Sequence, residues 1–263
     1  MSNVLSIHNH RSVLHIATTC ACALVIGLLL AMPAKCEQVQ VAVAANFTAP
    51  MKRIADAFEK DTGHRAVMSF GSTGKFYEQI TNGAPFDVFL SADDETPAKL
   101  EKGGFAVGGT LFTYATGRLV LWSANPALVD AKADVLAKND FKRLAIAAPK
   151  LAPYGGAALA TLNKMGVLSL LQPKLVIGQS VGQAYSMVST GNAELGFVAT
   201  SQVFEGGKLK SGSAWVVPAK LHSPLRQDAV LLLRGKSNTA ALQLLAFLKS
   251  AQAVAIMNSF GYE

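Results

Sequence analysis

From Val39 onward two hydrophobic periods take turns along the chain. "QVQVAVAA" has the period of two of a strand, and Met51, Ile54, Ala55 and Phe58 then fall at i, i+3, i+4 and i+7 on one helical face that Gly63 stops. The rhythm repeats with strand "RAVMSF", a short helix "KFYEQITNG", strand "FDVFLSA" and a helix in "DDETPAKLEKGG", whose acidic residues suit a helix start. After the extended stretch "LFTYATGRLVLWSANP" it begins again: strand "RLAIAAP", helix "GGAALATLNKMG", strand "KLVIGQS", helix "GQAYSMVSTGN" and strand "LGFVAT". "RQDAVLLLRG" predicts a late strand, the stripe Ala241, Leu244, Leu245 and Leu248 a helix, and "AQAVAIMNSFG" a last one.

Strands alternating with helices predict an α/β protein, and two successive α/β units predict two lobes, each a mixed sheet flanked by helices. Two extended crossings, near residues 114–120 and 220–229, would join them. The first lobe takes residues 37–116 with 224–263, the second 117–223.

Four loops share one arrangement: "AANFTAP", "FGSTGK", "APYGGAA" and "GQSVGQA" each join the carboxyl end of a predicted strand to a helix start. Ligands of open α/β sheets sit at that end, where helix N-termini present unpaired N–H groups carrying about half a positive charge. Four such ends aimed at one point form a cage of donors suited to a small oxyanion. "FGSTGK" is not a nucleotide P-loop, because Ser69 stands where the pattern needs glycine and Phe76 where it needs Ser or Thr. Lys75, in a helix's first turn, is expected to point to solvent.

The N-terminus carries His10, Arg11 and His15, then the apolar run "IATTCACALVIGLLLAM" and the small-residue stretch "PAKCEQ", the order of a cleaved secretory signal peptide over residues 1–36. All three cysteines, Cys20, Cys22 and Cys36, lie within it, so the mature chain is expected to have no thiol or disulfide chemistry and to work in the periplasm. Removing Arg11 and Lys35 leaves 22 basic residues against 17 acidic, a net charge of +5. That excess is diffuse, without a basic run, and does not indicate nucleic acid. His64 and His222 are isolated and offer no metal-ligand cluster.

One enzymatic pattern competes. "GQSVG", Gly178 to Gly182, fits the G-x-S-x-G nucleophile elbow between a strand and a helix. Ser180, then Glu194 or Glu205, then His222 keeps the order of a hydrolase triad, yet no HGGG-type oxyanion motif appears. A serine hydrolase is the alternative, as is a binding protein for another oxyanion such as sulfate; the carboxylates of "ADDE" are expected to serve the helix start.

The loops at these spacings, together with "AANFTAPMKRIADAFEK", "FGSTGKFYEQI", "GAPFDVFLSAD", "AAPKLAPYGGAAL" and "LGFVA", resemble the periplasmic molybdate-binding proteins of ABC-type importers, over essentially the whole mature chain. The resemblance implies a type II-like two-lobed binding protein and not an enzyme. It would need no cofactor, take molybdate or tungstate between its lobes, act as a monomer and deliver its ligand to a membrane permease with its ATPase. It places the anion on Ala45, Asn46, Ser72, Thr73, Tyr154 and the backbone N–H of Val181, with molybdenum held only as the oxyanion. One departure stands out: some relatives carry a ligand tyrosine at the position of Ala199, and the Tyr154 hydroxyl is the expected substitute donor.

Overall fold

The computed structural model describes residues 36–263; the expected signal peptide lies outside the described residues except for Cys36, which is exposed. The first lobe opens with β1 (Gln38–Ala44), a 3-10 turn (Ala45–Phe47) and α1 (Thr48–Thr62), which Gly63 ends in the left-handed conformation, φ 73°. It continues through β2 (Arg65–Gly71), α2 (Thr73–Thr81), β3 (Val88–Leu90), α3 (Glu95–Lys102) and β4 (Phe112–Gly117). The stretch read as one extended segment divides at Arg118. β4 belongs to the first sheet, and β5 (Leu119–Ser123) opens the second.

The second lobe adds β6 (Leu144–Ala147), α4 (Pro153–Lys164), β7 (Leu175–Gly178), α5 (Val181–Ser189), β8 (Leu195–Ala199) and β9 (Ser213–Val216). The chain then returns to the first sheet as β10 (Leu225–Leu231) and ends in α6 (Thr239–Leu248) and α7 (Ala251–Ser259). The first sheet runs β2-β1-β3-β10-β4, with β1 parallel to β2 and β3, and β10 antiparallel to β3 and β4. The second runs β9-β5-β8-β6-β7 and is also mixed: β6 is parallel to β7 and β8, while β5 is antiparallel to β8 and β9.

The predicted stripes are the buried ones. Met51, Ile54, Ala55 and Phe58 of α1 pack with Ala241, Leu244, Leu245 and Leu248 of α6 in one apolar cluster on the first sheet. Leu119, Leu121, Ile146 and Phe197 form the centre of the second lobe's core. Ala44, Ala45 and Ala92 of the first lobe belong to that second cluster, so the lobes are packed together along the carboxyl ends of β1 and β3.

Sequence periodicity missed a small ribbon, Phe204–Glu205 with Lys208–Leu209, because each strand is two residues long. Its turn is Gly206-Gly207 at φ 57° and 75°, the left-handed pair a two-residue hairpin needs. Glu205 pairs with Arg53 of α1 from there, an exposed bridge between lobes.

Candidate functional site

The four helix starts foreseen in the sequence meet at one place. Ala45, Asn46, Ser72, Thr73, Tyr154 and Val181 all line a single small cavity between the lobes, with about 10 Å³ of room for the centre of a water-sized sphere. The first four come from the ends of β1 and β2, Tyr154 from the start of α4 and Val181 from the start of α5. Among the described residues no charged side chain lines the cavity. Lys75 is exposed and borders a neighbouring groove instead, as its position in the first turn predicts.

Each helix start is built to leave donors free. Pro153 is the first residue of α4 and has no N–H, so Tyr154 presents that helix's first donor. The N–H groups of Thr73, Tyr154 and Val181 have no partner among the described residues. Gly155 allows this close approach, because a Cβ there would lie 2.2 Å from the carbonyl oxygen of Ala147 at the end of β6. Gly182 lies against Ala45 of the opposite lobe, where an added Cβ would be 3.3 Å from the Ala45 Cβ.

The side chains divide into engaged and unengaged atoms. The Ser72 Oγ is buried without a partner among the described residues, and so is the Oδ1 of Asn46. A buried polar atom left unpaired costs about 1–3 kcal/mol, so two on one cavity mark a place where something binds. The Thr73 Oγ1 accepts from the N–H of Ala92 at 3.0 Å, and only its own hydrogen remains to be given. The sequence reading puts the contact on Thr73 with Ser72 beside it; the difference comes from Ala92, nineteen residues on.

Tyr154 has two polar groups to place. Its hydroxyl is buried away from solvent, and Gln227 Nε2 donates to it at 3.3 Å. Gly117 makes the room, since a Cβ there would stand 2.1 Å from that oxygen. The backbone N–H of Tyr154 has no partner among the described residues, so Tyr154 offers the cavity a main-chain donor as well. Burial pushes the hydroxyls of Tyr114 and Tyr154 well above the ordinary tyrosine value and that of Tyr262 up to about 12, so all three keep their protons at neutral pH.

Residues 39–263 match the family model described as bacterial extracellular solute-binding protein. The molybdate-binding protein ModA of Azotobacter vinelandii is 59% identical over 234 residues, 89% of this chain and 93% of that protein. The chain belongs to the ModA group of bacterial extracellular solute-binding proteins. ModA of Rhodobacter capsulatus is 53% identical over 242 residues, 92% of this chain and 94% of its own. Among solved structures, the Azotobacter vinelandii periplasmic molybdate-binding protein superposes with a TM-score of 0.83 at 44% identity, covering 86% of this chain and 98% of that one.

Within this ModA fold the hydrolase pattern has an ordinary structural role. Ser180 is the N-cap of α5, and its Oγ accepts from the Gln183 N–H at 3.3 Å. His222 shares no hydrogen bond with it; the His222 Nδ1 lies 2.7 Å from the carbonyl oxygen of Ser223. Glu194 accepts from the backbone of Lys142 and Arg143, and Glu205 pairs with Arg53, so neither acid orients that histidine. Of the "ADDE" carboxylates, Asp93 accepts from the Thr96 N–H at 2.9 Å at the start of α3, as a helix-start role requires.

Proposed function

We propose that the mature chain captures molybdate, and tungstate with it, between its two lobes in the periplasm and passes it, as a monomer, to the permease and ATPase of an ABC importer. The observation that carries this reading is the cavity itself: among the described residues, neutral donors from both lobes, no charged group, and two buried polar atoms without partners. Charge-assisted hydrogen bonds are about twice as strong as neutral ones, so a dianion can be held by dipoles alone. Such a cage needs no cofactor, and the ligand favours closure only through its tighter contact with the closed form. The ModA relatives support the choice of ligand.

Calorimetric titration of the mature chain with molybdate, tungstate, sulfate and phosphate tests the reading. Molybdate and tungstate are expected to bind tightly. Phosphate, which keeps a proton near neutral pH and must therefore donate, is expected to be rejected by a site of donors. Tight sulfate binding with none of molybdate would replace the ligand while leaving the lobes and their closure in place. Tyr154→Phe should keep molybdate affinity within about fivefold, since the backbone N–H survives and a lost buried neutral hydrogen bond costs only about 1 kcal/mol. A loss above about thirtyfold would return the hydroxyl to the ligand.

A further inference from the structure

Behind the cavity lies a closed set of polar groups that no loop motif predicts. Asn46 Nδ2 sits 2.8 Å from Gln227 Oε1 and 2.9 Å from the Tyr262 hydroxyl. The Tyr114 hydroxyl lies 2.8 Å from the carbonyl oxygen of Ser91 and 3.0 Å from Gln227 Oε1. Gln227 is fully buried in β10 and reaches Tyr154 with Nε2. With the amides in this sense, Asn46 turns its nitrogen inward and leaves Oδ1, an acceptor, unpaired on a cavity meant for an anion.

The Tyr114 contact and the acceptor stranded on Asn46 favour reversing both amides. Tyr114 has one hydroxyl hydrogen and two oxygen neighbours, so one of those contacts is left without a hydrogen. The oxygen and nitrogen of an amide exchange places with little change of shape. Reversing Gln227 lets its two N–H hydrogens reach the reversed Asn46 oxygen and the Tyr114 oxygen, while Tyr114 donates to Ser91. Tyr154 then donates to the Gln227 oxygen, and Tyr262 to Asn46. Ser201 Oγ keeps its hydrogen for the Asn46 carbonyl, 2.6 Å away. Two contacts then lack a hydrogen, those of the Tyr262 hydroxyl to the Asn46 carbonyl at 3.0 Å and to Ser201 Oγ at 3.1 Å, as many as in the unreversed sense; what favours the reversal is that the Asn46 NH₂ takes the position where an acceptor had been stranded.

We infer that Gln227 is a positioning residue: by donating to the side-chain oxygen of Asn46 it holds that amide with its NH₂ toward the bound oxyanion, which makes the cage all-donor and excludes protonated oxyanions. The inference rests on the oxyanion reading of the cavity. The contact at 2.8 Å couples the two amides, because nitrogen cannot face nitrogen there nor oxygen face oxygen. Removing the Gln227 donor would let the Asn46 carbonyl turn outward, repelling molybdate and offering hydrogen phosphate an acceptor.

The test is a binding cycle on the mature chain, with Gln227→Met and Asn46→Ala alone and together, titrated with molybdate and phosphate. Gln227→Met is expected to weaken molybdate by roughly 10- to 100-fold in the native background and by less than about threefold once Asn46 is alanine, the non-additivity of groups that act as one. The ratio of molybdate to phosphate affinity should fall with it, a readout that loosened packing alone would not move. Equal losses in both backgrounds overturn the inference.

Nuclear Overhauser contacts in the unmutated, molybdate-bound protein give an answer even if Gln227→Met does not fold. The side-chain amide protons of Gln227 are expected to lie against the Tyr114 ring. Contacts to the Tyr154 ring instead would overturn the assignment while molybdate binding stood. Absence of molybdate binding by the unmutated chain would overturn the proposed function, and this inference with it.

Discussion

Asn46→Asp is expected to weaken molybdate binding by at least about a thousandfold while the chain still folds. The substitution keeps the shape of the side chain, and a carboxylate can accept from Gln227 and from the Tyr262 hydroxyl, the two groups next to Asn46. What changes is the atom on the cavity, an oxygen bearing negative charge. A unit charge about 5 Å from a dianion at an effective dielectric near 20 is opposed by roughly 6 kcal/mol, and screening that leaves two-thirds of this still gives a factor of about a thousand. Asn46→Ala serves as the reference, because it only deletes a charge-assisted donor worth about 1.5–3 kcal/mol, a loss of roughly 10- to 150-fold. Calorimetry on both variants, with unfolding midpoints measured without ligand, separates the effects. Equal weakening by Asp and Ala would mean that Asn46 does not face the anion.

The parts of this protein that sequence could show are those set by neighbours in the chain. The i, i+3, i+4, i+7 stripe of α1 and the Ala241 to Leu248 stripe of α6 lie in one core because an apolar face must be buried wherever it lands. The loops were equally legible: a strand end followed by a helix start is a local pattern, and all six expected site residues line one cavity. What stayed hidden depends on distant partners. Ser72 and Thr73 look alike until the Ala92 N–H occupies one of them. The Tyr154 hydroxyl shows no neighbour until the fold brings Gln227 and the missing side chain of Gly117 to it. Gln227 reads as one polar residue in an apolar strand, and its place beside Asn46, 181 positions away, exists only once β1 and β10 share a sheet.

Gly74→Val is expected to cost roughly 10- to 2,000-fold in molybdate affinity through closure alone. Gly74 stands in the first turn of α2, and its N–H donates to the carbonyl oxygen of Leu151 in the other lobe at 2.8 Å. A Cβ on Gly74 would lie 3.0 Å from the Leu151 Cα and 3.1 Å from its oxygen, backbone atoms that a rotamer change cannot move. Overpacking costs typically 1–3 kcal/mol, and losing the hydrogen bond about 0.5–1.5 kcal/mol more. Leu151 presses on this glycine only when the lobes are together, so the cost falls on the closed state and spares each lobe's own fold. The unliganded variant should therefore melt within a few degrees of the unmutated protein. Under molybdate sufficient to saturate the latter, small-angle scattering should show little or none of the compaction expected on closure. Gly74→Ala should fall between the two, since a lone Cβ at 3.0 Å asks the neighbour to give by only a few tenths of an ångström. If Gly74→Val bound molybdate as tightly as the unmutated chain, the two lobes would not need to meet at Leu151, and the donors of one lobe would have to hold the anion without those of the other.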